Sequence, residues 1–301
     1  MIASMDEYQF SNDRIAATVR AHGAEPTSLR ESVAGEVLWQ AGPAWPRHAP
    51  VLFPIVGELA GGAFRHEGRT YALGRHGFAR ECDFAWTERS TGACTLELRD
   101  DARTRTQYPF AFVLSIRYAL EASTLVVAYT VRNPGQTALP ASLGAHPAFR
   151  WPLAEGVAKE AHALSFARDE PEPIRRLDKN LLSPVRFDSP IVGRTLALRP
   201  ALFEADAIVM DRPNSDAVRY AAPGAPSIEI AWTGFEQLGL WSKTGGDFLC
   251  IEPWYGYASP AGFAGDFADK PGLMHVPPGE ERIFTMRVTV NAAESSRRST
   301  A

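Results

Sequence analysis

Cysteine is scarce in this chain of 301 residues, which contains only Cys82, Cys94 and Cys250. An odd number of widely spaced cysteines fits neither a disulfide framework nor a clustered zinc site. We therefore expect three buried thiols, and the sequence predicts no metal ion and no other cofactor.

The sequence also lacks long apolar runs and an excess of positive charge. No apolar run reaches the length that spans a bilayer, and the first residues have neither the basic nor the apolar region of a secretory signal. Lys and Arg number 31 against 35 Asp and Glu, a formal net charge of −4. No dense basic run is available to neutralise nucleic acid phosphates. We expect a cytoplasmic protein that binds neither membranes nor nucleic acid.

Helical periodicity is scarce as well, whereas Gly and Pro are plentiful at 24 and 23 residues. This composition is typical of many short strands joined by tight turns. Candidate strands alternate in polarity or are rich in β-branched and aromatic residues. They cover residues 15–19, 36–40, 70–73, 84–87, 94–98, 112–120, 125–132, 195–198, 207–210, 227–232, 238–241, 248–251 and 281–290.

These strands predict an all-β protein with the architecture of a large antiparallel β-sandwich. Hydrophobic residues make up 45% of the chain, which is enough to fill a sizeable core. Such sandwiches run long as single units, so we expect one domain over residues 1–290. Residues 291–301 have no apolar anchors and are predicted to form a frayed tail.

One histidine lies among apolar residues, in SLGAHPAFRWPL at 142–153. Pro147 biases His146 toward extended geometry, so we expect His146 at the end or edge of a strand. Two interpretations of His146 stay open from this run alone. It is either a core histidine hydrogen-bonded to a carbonyl or a functional group at the rim of a sheet.

A second motif, GRHGFAR at 74–80, places Arg75 and His76 between glycines. Glycine-flanked loops expose backbone and polar side chains, which is a common way to approach a small polar ligand. The alternative is a solvated loop histidine, with Arg75 and Arg80 as ordinary surface cations.

A third motif, CIEPWYGY at 250–257, puts Glu252 at the end of an apolar strand, before Trp254 and Tyr255. A carboxylate there must be hydrogen-bonded, paired or poised with a raised pKa, and all three conditions are common in catalytic bases. A structural salt bridge is the alternative. The aromatic residues are either core or a stacking face for a sugar ring.

RHGF, GAHPAFRWPL and CIEPWYG occur in the order that resembles the aldose 1-epimerase, or galactose mutarotase, superfamily. The LacX-like branch is the most similar. The resemblance extends from HGAE at 22–25 to PPGE at 277–280. It implies a single β-sandwich domain of the galactose mutarotase type that binds a free or modified aldose in an open cleft without a cofactor. The implied roles are acid for His146, base for Glu252 and auxiliary group for His76.

The resemblance also implies sugar-binding residues. An aspartate of the family corresponds to Asp206, although Asp211 is close enough to leave both open. The candidate binding residues are therefore Asp206, Arg75, Trp254 and Tyr255. One departure stands out, because LacX-like chains resemble Phe-Pro-x-x-Gly-Arg where this chain has FPIVGE, ending in Glu58. Its charge is the reverse of the family's arginine, and Arg75 or Arg80 could replace that arginine.

The chemistry agrees with these residue types. Anomer interconversion needs a base for the C1 hydroxyl proton and an acid for the ring oxygen. We expect an ionised Glu252 and a protonated His146, with the pKa of the histidine raised by a nearby carboxylate for work near neutrality.

Two alternatives remain. A non-catalytic carbohydrate-binding protein on the same fold would keep the aromatic platform without needing both His146 and Glu252. A metal-dependent sugar isomerase is disfavoured because no close histidine pair has metal-ligand spacing. The identity of the sugar, its phosphorylation state and the oligomeric state stay open.

Overall fold

Antiparallel strands make up most of the computed structural model, which describes residues 6–293. The predicted all-β class is therefore confirmed. The strands are β1 (Glu7–Ser11), β2 (Ile15–Arg20), β3 (Pro26–Glu31), β4 (Gly35–Glu36), β5 (Val51–Leu52), β6 (Ala63–His66), β7 (Arg69–Ala72), β8 (Ala85–Ser90), β9 (Ala93–Arg99), β10 (Val113–Glu121), β11 (Thr124–Arg132), β12 (Leu139–Ala141), β13 (Leu143–Ala145), β14 (Ala148–Arg150), β15 (Ala163–Phe166), β16 (Ile174–Asp178), β17 (Leu181–Phe187), β18 (Thr195–Ala197), β19 (Ile208–Met210), β20 (Ala217–Ala221), β21 (Ser227–Thr233), β22 (Gln237–Trp241), β23 (Phe248–Tyr255), β24 (Met274–Val276) and β25 (Glu281–Asn291).

Helical structure is confined to short segments between strands. The α-helix α1 spans Ala102–Gln107, and Asp101 caps it by accepting a hydrogen bond from the Thr104 backbone N–H. The 3₁₀ turns are Ala60–Gly62, Ala79–Glu81, Lys159–Ala161, Pro200–Phe203 and Phe267–Asp269. Within the described residues no helix has both the length and the apolar character needed to cross a membrane.

Two large sheets form the body of the fold. The first has the order β18-β15-β20-β21-β25-β11-β10-β9-β8. The second has the order β17-β16-β19-β22-β23-β13-β5, and β14 also pairs with β23. Smaller sheets consist of β1 to β4, of β6 with β7, and of β12 with β24.

Alternation along the strands gives the second sheet two different faces. On β23, Leu249 and Ile251 belong to the main core cluster, which also takes Met286 and Val288 from β25 of the first sheet. Because successive side chains point to opposite faces of a strand, Glu252 faces away from this shared core. The outer face of the second sheet is therefore the face that carries polar groups.

The predicted strand at 36–40 is confirmed only in part, because β4 ends at Glu36 and Leu38 then forms an isolated antiparallel bridge with Phe149. The Glu36 carboxylate accepts hydrogen bonds from the backbone N–H groups of Leu29 and Leu38, at 3.0 and 2.9 Å. This side chain fixes the backbone where β4 ends, as polar side chains near backbone often do.

The hairpin of β16 and β17 was not predicted. Lys179 and Asn180 connect the two strands, with φ angles of 48° and 69°. Two consecutive positive φ values are the mark of a type I′ hairpin turn, for which asparagine is well suited. At the chain end, β25 extends through Asn291, and the predicted tail from residue 294 onward lies outside the described residues.

Replacing Ile251 by alanine should cost about 2 to 5 kcal/mol of unfolding free energy, because Ile251 is fully buried between the sheets. The matched control is Ile283→Ala, the same chemical change at a residue that is 58% exposed, which should cost no more than about 0.5 kcal/mol. Urea unfolding of both variants measures the difference. Equal losses would contradict the assignment of the shared core.

Candidate active site

A gap between two short strands brings His146 to Glu252. β13 pairs with the Trp254 end of β23, and β14 pairs with the Phe248 end, so the two residues between them, His146 and Pro147, bulge away from the ladder. The sequence placed Glu252 at a strand end because Pro253 follows, but β23 continues through both residues. A proline is tolerated there because the partner strand is interrupted opposite it.

His146 and Glu252 form a buried pair on the outer face of the second sheet. The His146 Nε2 and Glu252 Oε2 atoms are 3.2 Å apart, and the residues are 7% and 1% exposed. Trp45 stacks on the imidazole at 5.0 Å between ring centroids, and Trp241 meets it edge-on at 5.9 Å. Two aromatic rings therefore shield one pair of ionisable groups from water.

Burial shifts both groups toward their neutral forms. It lowers the pKa of His146 to about 3 and raises the pKa of Glu252 well above its ordinary value. The expectation that the carboxylate would raise the histidine pKa is wrong, because desolvation penalises both charges at once. Over a wide pH range the pair therefore consists of a neutral imidazole beside a carboxylic acid.

His76 lies beside this pair as a neutral hydrogen-bond donor. Its ring centroid is 5.8 Å from that of His146. The Gly57 backbone N–H donates to His76 Nδ1 at 3.1 Å, so the ring proton is assigned to Nε2. Burial, followed by His146 and Arg80, lowers the pKa of His76 well below its usual range. The backbone of His76 has a φ of 66°, a costly conformation that fixes the imidazole in place.

A cavity of about 260 Å³ opens over this group of residues. Its volume lies near the lower end for small-molecule sites, which suits a ligand the size of a monosaccharide. Seven of the residues singled out in the sequence line it: His76, His146, Glu252, Asp206, Arg75, Arg80 and Trp254.

Tyr255 does not line the cavity, contrary to the sequence analysis. It packs against the core beside Phe284, with the Arg282 guanidinium 4.5 Å from its ring centroid. Alternation along β23 puts Tyr255 on the face opposite Trp254. Tyr257, which follows the strand, lines the cavity instead.

Trp254 lies across two glycines of the neighbouring strands. A Cβ atom added to Gly239 would lie 2.3 Å from two carbons of the indole ring, and one added to Gly144 would lie 2.8 Å from another. The absence of both side chains leaves the space that the ring fills. The buried Trp254 Nε1–H is directed at the Glu252 carboxyl group and limits the rise of the Glu252 pKa.

The two aspartates left open by the sequence have different surroundings. Asp211 is 9% exposed and pairs with Arg175 and Arg186, at 3.2 and 3.1 Å, so its charge is already neutralised. Asp206 lines the cavity and has a φ of 63°. Its carboxylate accepts a hydrogen bond from the Ala207 backbone N–H. Asp206 is thus the aspartate available to a ligand.

Arg75 and Arg80 both line the cavity, whereas Glu58 is not among its lining residues. The Glu58 carboxylate lies 3.9 Å from Arg75 Nε. Asn180, in the turn between β16 and β17, accepts a 2.6 Å hydrogen bond from Arg75 Nη2. Glu58, which is negative where LacX-like chains resemble arginine, therefore lies beside Arg75 of the GRHGFAR loop.

Within residues 6–293, His146, Cys250 and Glu252 form a group that could hold a metal ion, because their ligand atoms lie within 4.8 Å of one another. This group could not be found from sequence spacing, because the fold brings His146, in the bulge after β13, next to Cys250 and Glu252 on β23. Burial raises the pKa of the Cys250 thiol well above its ordinary value. A protonated thiol is a poor metal ligand, so the arrangement is better suited to acid and base chemistry.

Sequence reasoning missed Trp45 and Trp241, which cover the imidazole. Trp45 lies in an irregular segment without periodicity, and its only signal is its position between Pro43 and Pro46. The buried Glu25 holds this segment by accepting hydrogen bonds from the backbone N–H groups of His48 and Ala49. The glutamate of the HGAE motif at 22–25 thus holds the segment that carries Trp45.

The chain is similar to known proteins of one family along nearly its whole length. The sequence matches the family model for aldose 1-epimerase over residues 6–287. The plasmid and chromosomal LacX proteins of Lactococcus lactis subsp. lactis are each 29% identical over 294 residues, covering 94% of this chain and 98% of theirs.

Solved structures confirm the predicted galactose mutarotase type of fold. A galactose mutarotase related enzyme from Lactobacillus acidophilus is 30% identical with a TM-score of 0.89, over 96% of this chain and 99% of its own. A galactose mutarotase-like protein from Lactobacillus casei is 27% identical with a TM-score of 0.88, over 95% of this chain and 100% of its own.

Replacing Gly239 by alanine should displace the Trp254 ring, because the new Cβ atom would overlap it. We expect a loss of about 1 to 3 kcal/mol in unfolding free energy, together with weaker sugar binding. Gly92→Ala is the control, since no heavy atom lies within 4 Å of its added Cβ. Denaturant unfolding and ligand titration measure both effects. Unchanged stability and affinity in Gly239→Ala would refute the packing of Trp254.

Proposed function

The chain belongs to the aldose 1-epimerase family, and we propose that it interconverts the α and β anomers of an aldose by opening and closing the hemiacetal ring. One observation carries this proposal. His146 and Glu252 are buried 3.2 Å apart at the wall of a cavity of monosaccharide size, so an acid and a base reach the same ligand. Positioned proton transfer of this kind typically contributes about 10² to 10⁴-fold.

Ring opening uses both members of the pair. The Glu252 carboxylate takes the proton of the C1 hydroxyl, and the electrons of that O–H bond form the C1=O1 double bond. The bond between C1 and the ring oxygen O5 breaks, and O5 takes a proton from the His146 imidazolium. After rotation about C1–C2, O5 attacks the other face of C1 and returns its proton to His146. O1 recovers its proton from Glu252, so the site is restored.

The reactive form of the pair needs no proton from solvent. A neutral imidazole beside a carboxylic acid contains the same number of protons as an imidazolium beside a carboxylate. The proton moves between Glu252 and His146 across their 3.2 Å contact, and the second arrangement is the one that starts ring opening. Burial disfavours this arrangement in the free site, and a polar sugar supplies hydrogen bonds that offset that cost.

Other lining groups are proposed to orient the sugar. The His76 Nε2–H donates to a sugar oxygen, because the imidazole is neutral and its Nδ1 is occupied. The Asp206 carboxylate accepts from a hydroxyl, and the Trp254 ring offers an apolar face to the C–H side of a pyranose. A carbohydrate-binding protein without turnover would use these same contacts. The rate of anomer exchange therefore distinguishes an epimerase from a binding protein.

Glu252→Gln should lower the rate of anomer exchange by about 100-fold or more, because the amide keeps the shape of the carboxyl group but cannot accept the C1 proton. Polarimetry over a panel of aldoses measures the rate, and circular dichroism checks the fold. The matched control is Glu229→Gln, at an exposed position of β21, which should keep the wild-type rate. A folded Glu252→Gln variant with the wild-type rate would remove Glu252 from the base role. Sugar binding without exchange by the wild type would favour the binding protein.

The dependence on pH should be a broad plateau rather than a narrow mildly acidic peak. As the pH falls toward about 3, His146 gains a proton while Glu252 is already protonated, and the base is lost. As the pH rises past the raised pKa of Glu252, the pair loses its shared proton and the acid is lost. We expect kcat/KM to stay level through pH 5, where unperturbed groups would give a bell. A sharp bell in the wild type, or an unchanged alkaline limb in His146→Asn, would contradict the shared proton.

A further inference from the structure

One side of the active-site cavity is built from aliphatic side chains, which we call the aliphatic wall. It consists of Leu177 of β16, Leu182 of β17, Ala207 just before β19 and Val209 of β19. Leu177 and Leu182 are paired across the β16–β17 hairpin. Leu182, Ala207 and Val209 pack with Trp254 in one apolar cluster. The proposed chemistry at C1 uses no residue of this wall.

The register of the second sheet places the aliphatic wall across the cavity from the acid and base. Val209 is paired with Gly239, and Gly239 is paired with Glu252. Since neighbouring strands are about 4.8 Å apart, Val209 lies about 10 Å from Glu252 along the sheet. The Trp254 ring fills the space above Gly239, the middle member of this row. A ligand that lies over Trp254 therefore reaches Glu252 at one end and the aliphatic wall at the other.

The charged groups next to the aliphatic wall already have partners. Arg175 of β16 and Arg186 of β17 both pair with Asp211, at 3.2 and 3.1 Å. Arg75 donates a 2.6 Å hydrogen bond to Asn180 in the hairpin turn. The aliphatic side chains themselves contain no hydrogen-bonding atom, so a hydroxyl group pressed against them loses its bonds to water without replacement. A methyl group in the same place gains from the burial of apolar surface.

We infer that the preferred substrate is a 6-deoxy aldose, whose C6 methyl group packs on the aliphatic wall. In a pyranose, C4 and C5 lie across the ring from C1, and C6 extends furthest from the ring at that end. When C1 lies at His146 and Glu252, the C6 group is therefore the one that meets Leu177, Leu182 and Val209. The inference rests on the proposed function and names its substrate class.

Equilibrium binding tests the inference without relying on turnover. Isothermal titration of Glu252→Gln, which should bind but not react, compares 6-deoxy hexoses with their 6-hydroxy parents in the gluco, galacto and manno series, in D and L forms. The matching pentoses, which lack C6, complete each set. We expect at least one 6-deoxy hexose to bind about tenfold or more tightly than its parent, and more tightly than its pentose, as an apolar pocket predicts.

Substitutions in the aliphatic wall should reduce this preference. Leu177→Gln and Val209→Thr, made in the Glu252→Gln background, each add a hydrogen-bonding group to the wall. Each should lower the ratio of 6-deoxy to 6-hydroxy binding constants by about fivefold or more. Leu120→Gln, at a partly buried position of β10 in the first sheet, and Val185→Thr, at an exposed position of β17, are the matched controls. Both controls should keep the ratio, and circular dichroism checks the fold of every variant.

Wild-type exchange rates, corrected for the spontaneous rate of each sugar, separate this inference from the proposed function. Equal or tighter binding of the 6-hydroxy parents would overturn the inference even if anomer exchange is fast. An unchanged ratio in both folded wall variants would overturn it as well. Tight binding of a 6-deoxy hexose without exchange by the wild type would support the aliphatic wall as a binding surface and refute the proposed function.

Discussion

The burial of His146 against Glu252 is the constraint on which the site depends. Two ionisable groups 3.2 Å apart and almost without exposure can exist there only if they share charge or lose it. The two aromatic rings over the imidazole keep water out, and the bulge between β13 and β14 keeps the histidine in reach of the strand that carries the glutamate. This packing is what lets us propose the two side chains as an acid and base couple.

The remainder of the cavity is arranged around that pair. Glycine at 239 admits the Trp254 ring, the hydrogen bond from Gly57 fixes the tautomer of His76, and the turn at Asn180 holds Arg75. Each contact comes from a different part of the chain, and the second sheet and its loops bring these parts together. The charged residues Arg75, Arg80 and Asp206 at the cavity lie in segments between the strands.

The fold class and most of the polar residues that line the cavity were predictable because their signals are local. Short β-branched runs between turns indicate strands, and a histidine before proline or a carboxylate in an apolar run is unusual by itself. The face of Tyr255 was not predictable, because the strand was predicted only over 248–251 and its alternation could not be followed beyond those residues. Trp45 and Trp241 were missed because the residues next to a tryptophan in sequence do not reveal that its ring packs on His146. The pKa directions of the pair also depend on burial, which only the packed structure reveals.

The central claim is that the pair opens and closes the sugar ring at the bond between C1 and O5. Exchange NMR with an aldose labelled with ¹³C at C1 and ¹⁸O at O1 tests it in one experiment, because the ¹³C shift reports both the anomer and the oxygen isotope. We predict exchange between anomers above the spontaneous rate and in proportion to enzyme, with the ¹⁸O label retained through every interconversion. Exchange no faster than the spontaneous rate, or loss of the label at the rate of exchange, would contradict the account.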